Sequence, residues 1–318
     1  MRIAVWGLGR HAIKNILPAL RQNKNLKLYG VFSRNKDTVG VCTKKFECRS
    51  WKNSQEMLSD KNLVVIFAAS PIGIHSDQGR RTLESNKHFW CEKPFTTSLE
   101  HTEELASLSD IKGLTIAEGF MYLYHNQFIW LKEYLENYKN EDIKLINCNF
   151  CIPYSDNPGF RYDPKLGGST LLDIGTYLLS AIFSLVREED PKILLKEIKK
   201  NNEFKVDMNG FICLAYPSGI LCNLFWGMGY AYRNEIDILT HNSSLYTNKI
   251  FSKPSSYVPE FKIKNVNGES SIIQINKCNH FVNMFDHFYS LITSEEKAHE
   301  ERNRILHLAK WTQKIKDM

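Results

Sequence analysis

Two groups of residues have the types and spacing to do chemistry on a small polar molecule: Lys93, set between Glu92 and Pro94, and the pair Asp173 and Tyr177, four residues apart. An ammonium can polarise a carbonyl, a phenol can give or take a proton, and a carboxylate can orient either of them. Residues 170–186 read as a helix, and a spacing of four puts Asp173 and Tyr177 on one face of it. The rest of that helix is apolar (Leu171, Leu172, Ile174, Leu178, Leu179, Ile182, Phe183). An acid there is costly unless it is paired or meets a ligand. The assignment drawn from these residues makes Tyr177 the proton donor, Lys93 the group that polarises the carbonyl and eases the proton's release, and Asp173 the group that positions the substrate or the lysine. The bland alternatives are a solvated lysine, a packing tyrosine with its hydroxyl satisfied, and an acid that partners the Gly167-Gly168 turn. Arg161 and Tyr162, just before that glycine pair, suit a diphosphate or a sugar hydroxyl, and suit a plain surface role equally well.

These groups need elements to hold them. Residues 2–6 read as a strand that runs into Gly7-Leu8-Gly9-Arg10-His11-Ala12, followed by a helical pattern through Ile13, Ile16, Leu17 and Leu20. Glycines between a strand and a helix form the dinucleotide fingerprint: Gly7 for the tight turn, Gly9 for close backbone approach to a pyrophosphate, and Ala12 for close packing of helix on sheet. The helix start, with Arg10 and His11, faces the anion. A second strand, residues 26–32, ends in Ser33-Arg34, where an NAD site usually carries an acid for the ribose 2′-hydroxyl. Ser33 can donate a hydrogen bond and Arg34 can pair with a 2′-phosphate, so NADP(H) is favoured over NAD(H). Apolar strands at 63–69, 88–91 and 114–117 follow, ending in Ser70-Pro71 with His75 beyond, in Glu92-Lys93-Pro94, and in Glu118-Gly119. Strands alternating with helices make a doubly wound parallel sheet, whose ligands bind beyond the carboxyl ends of the strands. Ser70, Pro71, His75, Glu92 and Lys93 therefore join the cofactor set.

Composition excludes several classes. With 318 residues, 43% of them hydrophobic and 24% charged, the chain suits two globular domains rather than disorder. No uninterrupted apolar run approaches membrane length, and no signal peptide precedes the first strand, so the expected place is the cytoplasm. The net charge of +6 is spread along the chain without a basic and aromatic motif, which argues against nucleic acid. The eight cysteines are scattered in apolar stretches, as free thiols are. Cys148 and Cys151 lie on an extended segment that points them to opposite faces, badly placed to chelate together. His125, His280 and His287 lack ligand spacing, so no metal is expected.

The order of these pieces, continued by Glu118-Gly119-Phe120-Met121-Tyr122 and by residues 167–177 (Gly167 to Tyr177), resembles the glucose–fructose oxidoreductase / inositol dehydrogenase / MocA family. Tyr232-Arg233-Asn234-Glu235 and Phe251-Ser252-Lys253-Pro254 make it most similar to the nucleotide-sugar 3-ketoreductases within that family. Tyr177, where many relatives carry histidine, argues against the inositol dehydrogenase type. Leu123 and Asn126 stand where relatives often have arginine and proline. The resemblance implies an α/β chain: a Rossmann domain at 1–119, then at 120–318 an α+β domain with an open, mostly antiparallel sheet for substrate binding and oligomerisation. It further implies a homodimer or homotetramer and hydride transfer to or from a sugar-like substrate, with reduction of a keto group on a nucleotide-linked sugar as the leading reading. Oxidation of a free sugar or polyol, and a non-catalytic nucleotide-binding sensor or assembly subunit, are the alternatives.

Overall fold

A glycine turn works only if the strands around it are parallel and adjacent, and the chain builds that arrangement first. In the computed structural model, which describes residues 1–138, 142–155, 159–186, 188 and 190–318, six parallel strands form one sheet. They are β1 (Arg2–Trp6), β2 (Lys27–Phe32), β3 (Arg49–Ser50), β4 (Val65–Ala68), β5 (His88–Glu92) and β6 (Ile116–Gly119). Their order is β3-β2-β1-β4-β5-β6. The order reverses between β1 and β4, and a crevice opens beyond the carboxyl ends at such a reversal. Each central strand is a short apolar run buried on both sides: Val65, Ile66, Phe67 and Ala68 are all 0% exposed, as a sheet covered on both faces requires.

The second sheet has eight strands: β7 (Ile143–Ile152), β8 (Lys192–Lys200), β9 (Asp207–Ala215), β10 (Leu221–Met228), β11 (Arg233–Thr240), β12 (Ser243–Asn248), β13 (Glu260–Asn265) and β14 (Ser270–Gln274). They run in the order β14-β13-β12-β11-β7-β10-β9-β8. Only the β7–β10 pair is parallel. One face buries Ile146, Cys148, Phe150, Leu224 and Trp226 under the helix Thr176–Leu185. The other carries half-buried polar rows, in which Asn147 bridges Asn223 and Asp237. Cys148 and Cys151 fall on opposite faces of β7, and burial pushes both thiols up, that of Cys151 to about 11. Residues Pro164–Leu185 have the length and composition of a membrane span, but they are mostly buried inside this unit and serve its core.

The chain divides into two units, Met1–Phe120 with Phe281–Met318, and Met121–His280. The sequence placed everything from 120 onward in the second domain. The difference is the segment Phe281–Met318, which holds most of the helix His280–Thr293 and all of the C-terminal helix Glu295–Asp317; the latter packs on the helix Leu99–Ile111 and on β6. It buries Ile305 in the cluster formed by Phe89, Phe95, Leu105 and Ile116.

Part of the acid sensitivity follows from one half-buried ring. His88, at the start of β5, accepts the Thr115 amide on Nδ1 at 2.9 Å, and burial pushes its pKa from 6.5 down to about 4. The unfolded chain therefore takes up a proton between pH 6.5 and 4 that the folded chain refuses, so stability is full above 6.5 and falls as pH drops through this window. The loss amounts to about 3 kcal/mol. Urea midpoints measured from pH 7 to pH 4 should fall steeply in the wild type and less steeply in His88→Gln; equal slopes would remove His88 as the cause.

Candidate active site

The turn after β1 is shaped for a phosphate group. Gly7 has φ +113°, and a Cβ on it would lie 2.7 Å from both the carbonyl carbon and oxygen of Ala69. Only glycine passes there. A Cβ on Gly9 would meet nothing within 4 Å, so the backbone at Gly9 borders open space. A π-helical turn, Ala12–Ile16, then leads into the α-helix Leu17–Gln22, and no side chain caps its start. A pyrophosphate fits this cradle: an approachable glycine, an uncapped helix start, and the reversal point of the sheet. Ser33 is half-buried and Arg34 exposed, directly after β2; Arg34 makes no ion pair among the described residues. The neighbouring Asn35 is already committed, capping the helix Lys36–Phe46 by accepting from the Thr38 amide at 3.0 Å. Arg10 and His11 are exposed beside the turn, and His11 Nε2 lies 3.1 Å from Glu92 Oε1. This contact ties the cradle to the Lys93 loop.

Two residues expected at the cofactor, Ser70 and His75, also hold the loops around it together. His75 is 0% exposed; its Nε2 lies 3.0 Å from the Ser70 carbonyl and its Nδ1 3.1 Å from the Pro94 carbonyl. Burial holds the ring neutral by pulling its pKa down, and a neutral ring donates from one nitrogen only. One ring nitrogen donates to a backbone carbonyl while the other faces a second, so the ring links the loops after β4 and β5. Ser70 likewise spends its hydroxyl on Gln78 Oε1. Pro71 is half-buried in the same loop, and Lys93 and Glu92 are half-buried at the end of β5, with a cis Lys93-Pro94 bond.

In the second unit, the expected helix is a π-helical turn, Leu171–Gly175, running into the α-helix Thr176–Leu185. π turns widen the helix and recur at functional sites. Asp207 holds its start by accepting from the Leu171 amide at 2.7 Å and from the Thr170 hydroxyl at 2.5 Å. Asp173 is 7% exposed and pairs with Arg161, whose Nε donates to Oδ2 at 2.7 Å. A buried acid and a half-exposed arginine from the preceding loop are thus brought together. Tyr162 stacks on Phe204 with ring centroids 4.6 Å apart, which gives it a packing partner. Tyr177, 7% exposed, sits in an aromatic box of Tyr122, Phe150 and Phe251 at 5.7, 5.4 and 5.5 Å, with its hydroxyl 3.6 Å from Met121 Sδ. The box went unread in the sequence because its members are scattered over three segments. Asn234 completes it: its Oδ1 accepts the Phe251 amide at 2.9 Å and its Nδ2 donates to the Ser252 carbonyl at 3.1 Å. The two motifs that narrowed the resemblance therefore touch.

Fold and side chains together define an oxidoreductase whose first unit is a dinucleotide-binding sheet. Residues 1–120 match the model of an oxidoreductase family with an NAD-binding Rossmann fold, and residues 128–246 match the GFO/IDH/MocA C-terminal domain. The chain belongs to the GFO/IDH/MocA oxidoreductase family. It is 25% identical over 269 residues to a dTDP-3,4-didehydro-2,6-dideoxy-alpha-D-glucose 3-reductase of Streptomyces violaceoruber, covering 84% of this chain and 78% of the relative. It is 26% identical over 266 residues to the enzyme of the same name from Streptomyces antibioticus, covering 83% and 80%. A solved 3-ketoreductase from Actinomadura kijaniata, in complex with NADP and TDP-benzene, superposes with a TM-score of 0.93 at 24% identity over 100% of this chain and 97% of that one. An aldose–aldose oxidoreductase from Caulobacter crescentus gives 0.89 at 16% identity, over 100% and 96%. Those two likenesses establish the fold.

Proposed function

We propose that this protein uses NADPH to reduce a keto group on a nucleotide-linked sugar. The observation that carries the reading lies within the second unit, where a boxed tyrosine and an ion-paired acid share one helical segment; the first unit carries a lysine directly after β5. The relatives named above act on dTDP-linked keto sugars, which supports the substrate class. A solved relative holds NADP, and an NADP(+)-dependent D-xylose 1-dehydrogenase of Haloferax volcanii matches at 25% identity over 189 residues.

When bound, the reduced nicotinamide supplies the hydride to the carbonyl carbon. Gly7, Gly9 and the uncapped helix hold its pyrophosphate, and Ser33 with Arg34 reads the 2′-phosphate. Lys93 polarises the carbonyl oxygen as negative charge develops on it. Tyr177 gives that oxygen its hydroxyl proton, so the ketone leaves as an alcohol and the tyrosine regains a proton from solvent. Asp173 fixes Arg161, whose remaining N–H groups suit a sugar hydroxyl or a diphosphate oxygen. Cysteines held in no disulfide among the described residues fit work in a reducing, cytoplasmic setting.

Fluorescence titration with NADPH and NADH, side by side, tests the cofactor half. NADPH is expected to bind at least about tenfold more tightly, one charge-assisted contact being worth that much or more. Arg34→Ala should erase most of the difference. Equal affinity for the two cofactors in the wild type would sink the role of Ser33 and Arg34, and would favour oxidation of a free sugar or polyol instead.

A further inference from the structure

The loop that carries Lys93 has to be held still, and the means of holding it come from far along the chain. The amide of Phe95, two residues beyond Lys93, donates to Glu118 Oε1 at 2.7 Å. Glu118 lies in β6, is 2% exposed, and is the acid of an otherwise apolar strand. From the C-terminal helix, Arg304 brings Nη1 to 3.4 Å from Glu118 Oε2 and donates from Nη2 to the Glu118 carbonyl at 3.3 Å. Arg304 is aimed by Glu301, with Nη2 donating to Oε1 at 2.7 Å and Nε to Oε2 at 2.9 Å. Glu301, itself 4% exposed, closes the ring by accepting the Glu118 amide on Oε1 at 3.1 Å. Charge from Lys93 reaches Glu118 as well. Burial drives the Glu118 carboxyl up to about 7, and Arg304 works against that rise.

A buried acid of this kind is expensive. A hydrocarbon of similar shape would fill the same space without desolvating a charge, and the ring needs an arginine and a second acid more than 180 residues away to make it tolerable. What a hydrocarbon could not do is accept the Phe95 amide. We propose that Glu118, braced by Arg304 and Glu301, is a positioning residue for Lys93: through the Phe95 amide it fixes the turn that aims the ammonium. The proposal rests on the reading of Lys93 as the group that polarises the carbonyl. It gives the C-terminal helix, which lies outside both family-matched stretches, a part in the site.

Hydrogen exchange read by mass spectrometry on the full-length protein tests the brace without any substrate. In Glu118→Met, which keeps the bulk and removes the acceptor, the peptide holding the Phe95 amide should exchange about tenfold faster or more, while peptides from β1 and from the helix Thr176–Leu185 keep their rates. Arg304→Ala should loosen the same peptide. The conservative variants Glu118→Gln and Arg304→Lys should restore most of its protection. Because Arg304 is a quarter exposed, its variants keep the test open if Glu118→Met does not fold. NADPH affinity should stay within about twofold, and on a keto-sugar nucleotide that the wild type turns over, kcat should fall about tenfold to a hundredfold with KM unchanged. Unchanged protection at Phe95 in folded Glu118→Met or Arg304→Ala overturns the brace, and so does loosened protection with unchanged kcat. Failure of the underlying reading shows elsewhere, as full turnover in Lys93→Ala.

Discussion

Tyr177→Phe should lower kcat for reduction of a keto-sugar nucleotide by about 10²–10⁴-fold, the range for removing a general acid, while NADPH affinity and the melting temperature barely move. The aromatic box makes this variant unusually clean. Tyr122, Phe150 and Phe251 surround the ring at 5.7, 5.4 and 5.5 Å and would hold a phenylalanine in the same place. The hydroxyl lies 3.6 Å from Met121 Sδ, a weak acceptor, so that contact contributes little to folding. A tyrosine kept only for packing would lose almost nothing as phenylalanine. Steady-state rates with NADPH, measured beside a thermal melt, separate the two readings. A near-normal rate with an intact fold would pass the proton to Lys93 or Asp173.

Why the sequence yielded the site more readily than its supports follows from the range over which each signal acts. The strands β1, β4 and β5 were legible because a buried parallel strand is a continuous apolar run, and the glycine turn because its residues lie within one short stretch. Asp173 and Tyr177 were legible because their spacing is itself the geometry. The strand β8 was passed over because an edge strand with no core face to fill can carry Lys192, Lys196, Lys199 and Lys200 in place of an apolar alternation. β12 and β14 are rich in serine and lack a clear apolar alternation, so tertiary pairing decides them. Glu118 was seen only as the end of a strand, since its partners Glu301 and Arg304 are 183 and 186 residues away. The same distance hid the return of the C-terminal helix to the first unit. His75 was read only from its position after β4; its burial, which turns both ring nitrogens towards carbonyls, is a packing outcome that no local pattern encodes.

Gly9→Val should leave a folded protein that no longer binds NADPH at useful concentrations, a loss of about 10²-fold or more. The structure separates the two glycines of the turn by what each makes room for. At Gly7 a Cβ would strike the backbone of Ala69 at 2.7 Å from a φ of +113°, so even Gly7→Ala should cost stability through a clash and a strained conformation together. At Gly9 the φ is unremarkable and a Cβ meets nothing of the protein within 4 Å, so added carbon has nothing to disturb except a ligand. A side chain there would hold a pyrophosphate away from the uncapped helix start, and the hydrogen bonds lost are charge-assisted ones worth about 1.5–3 kcal/mol each. Thermal melts and NADPH titration on both variants tell the roles apart. Gly7→Ala is expected to melt several degrees low, whereas Gly9→Val should melt with the wild type and fail to quench with NADPH. Normal NADPH affinity in folded Gly9→Val would show that the pyrophosphate does not lie on this turn, and the cofactor assignment built on Gly7, Gly9 and the helix behind them would fall with it.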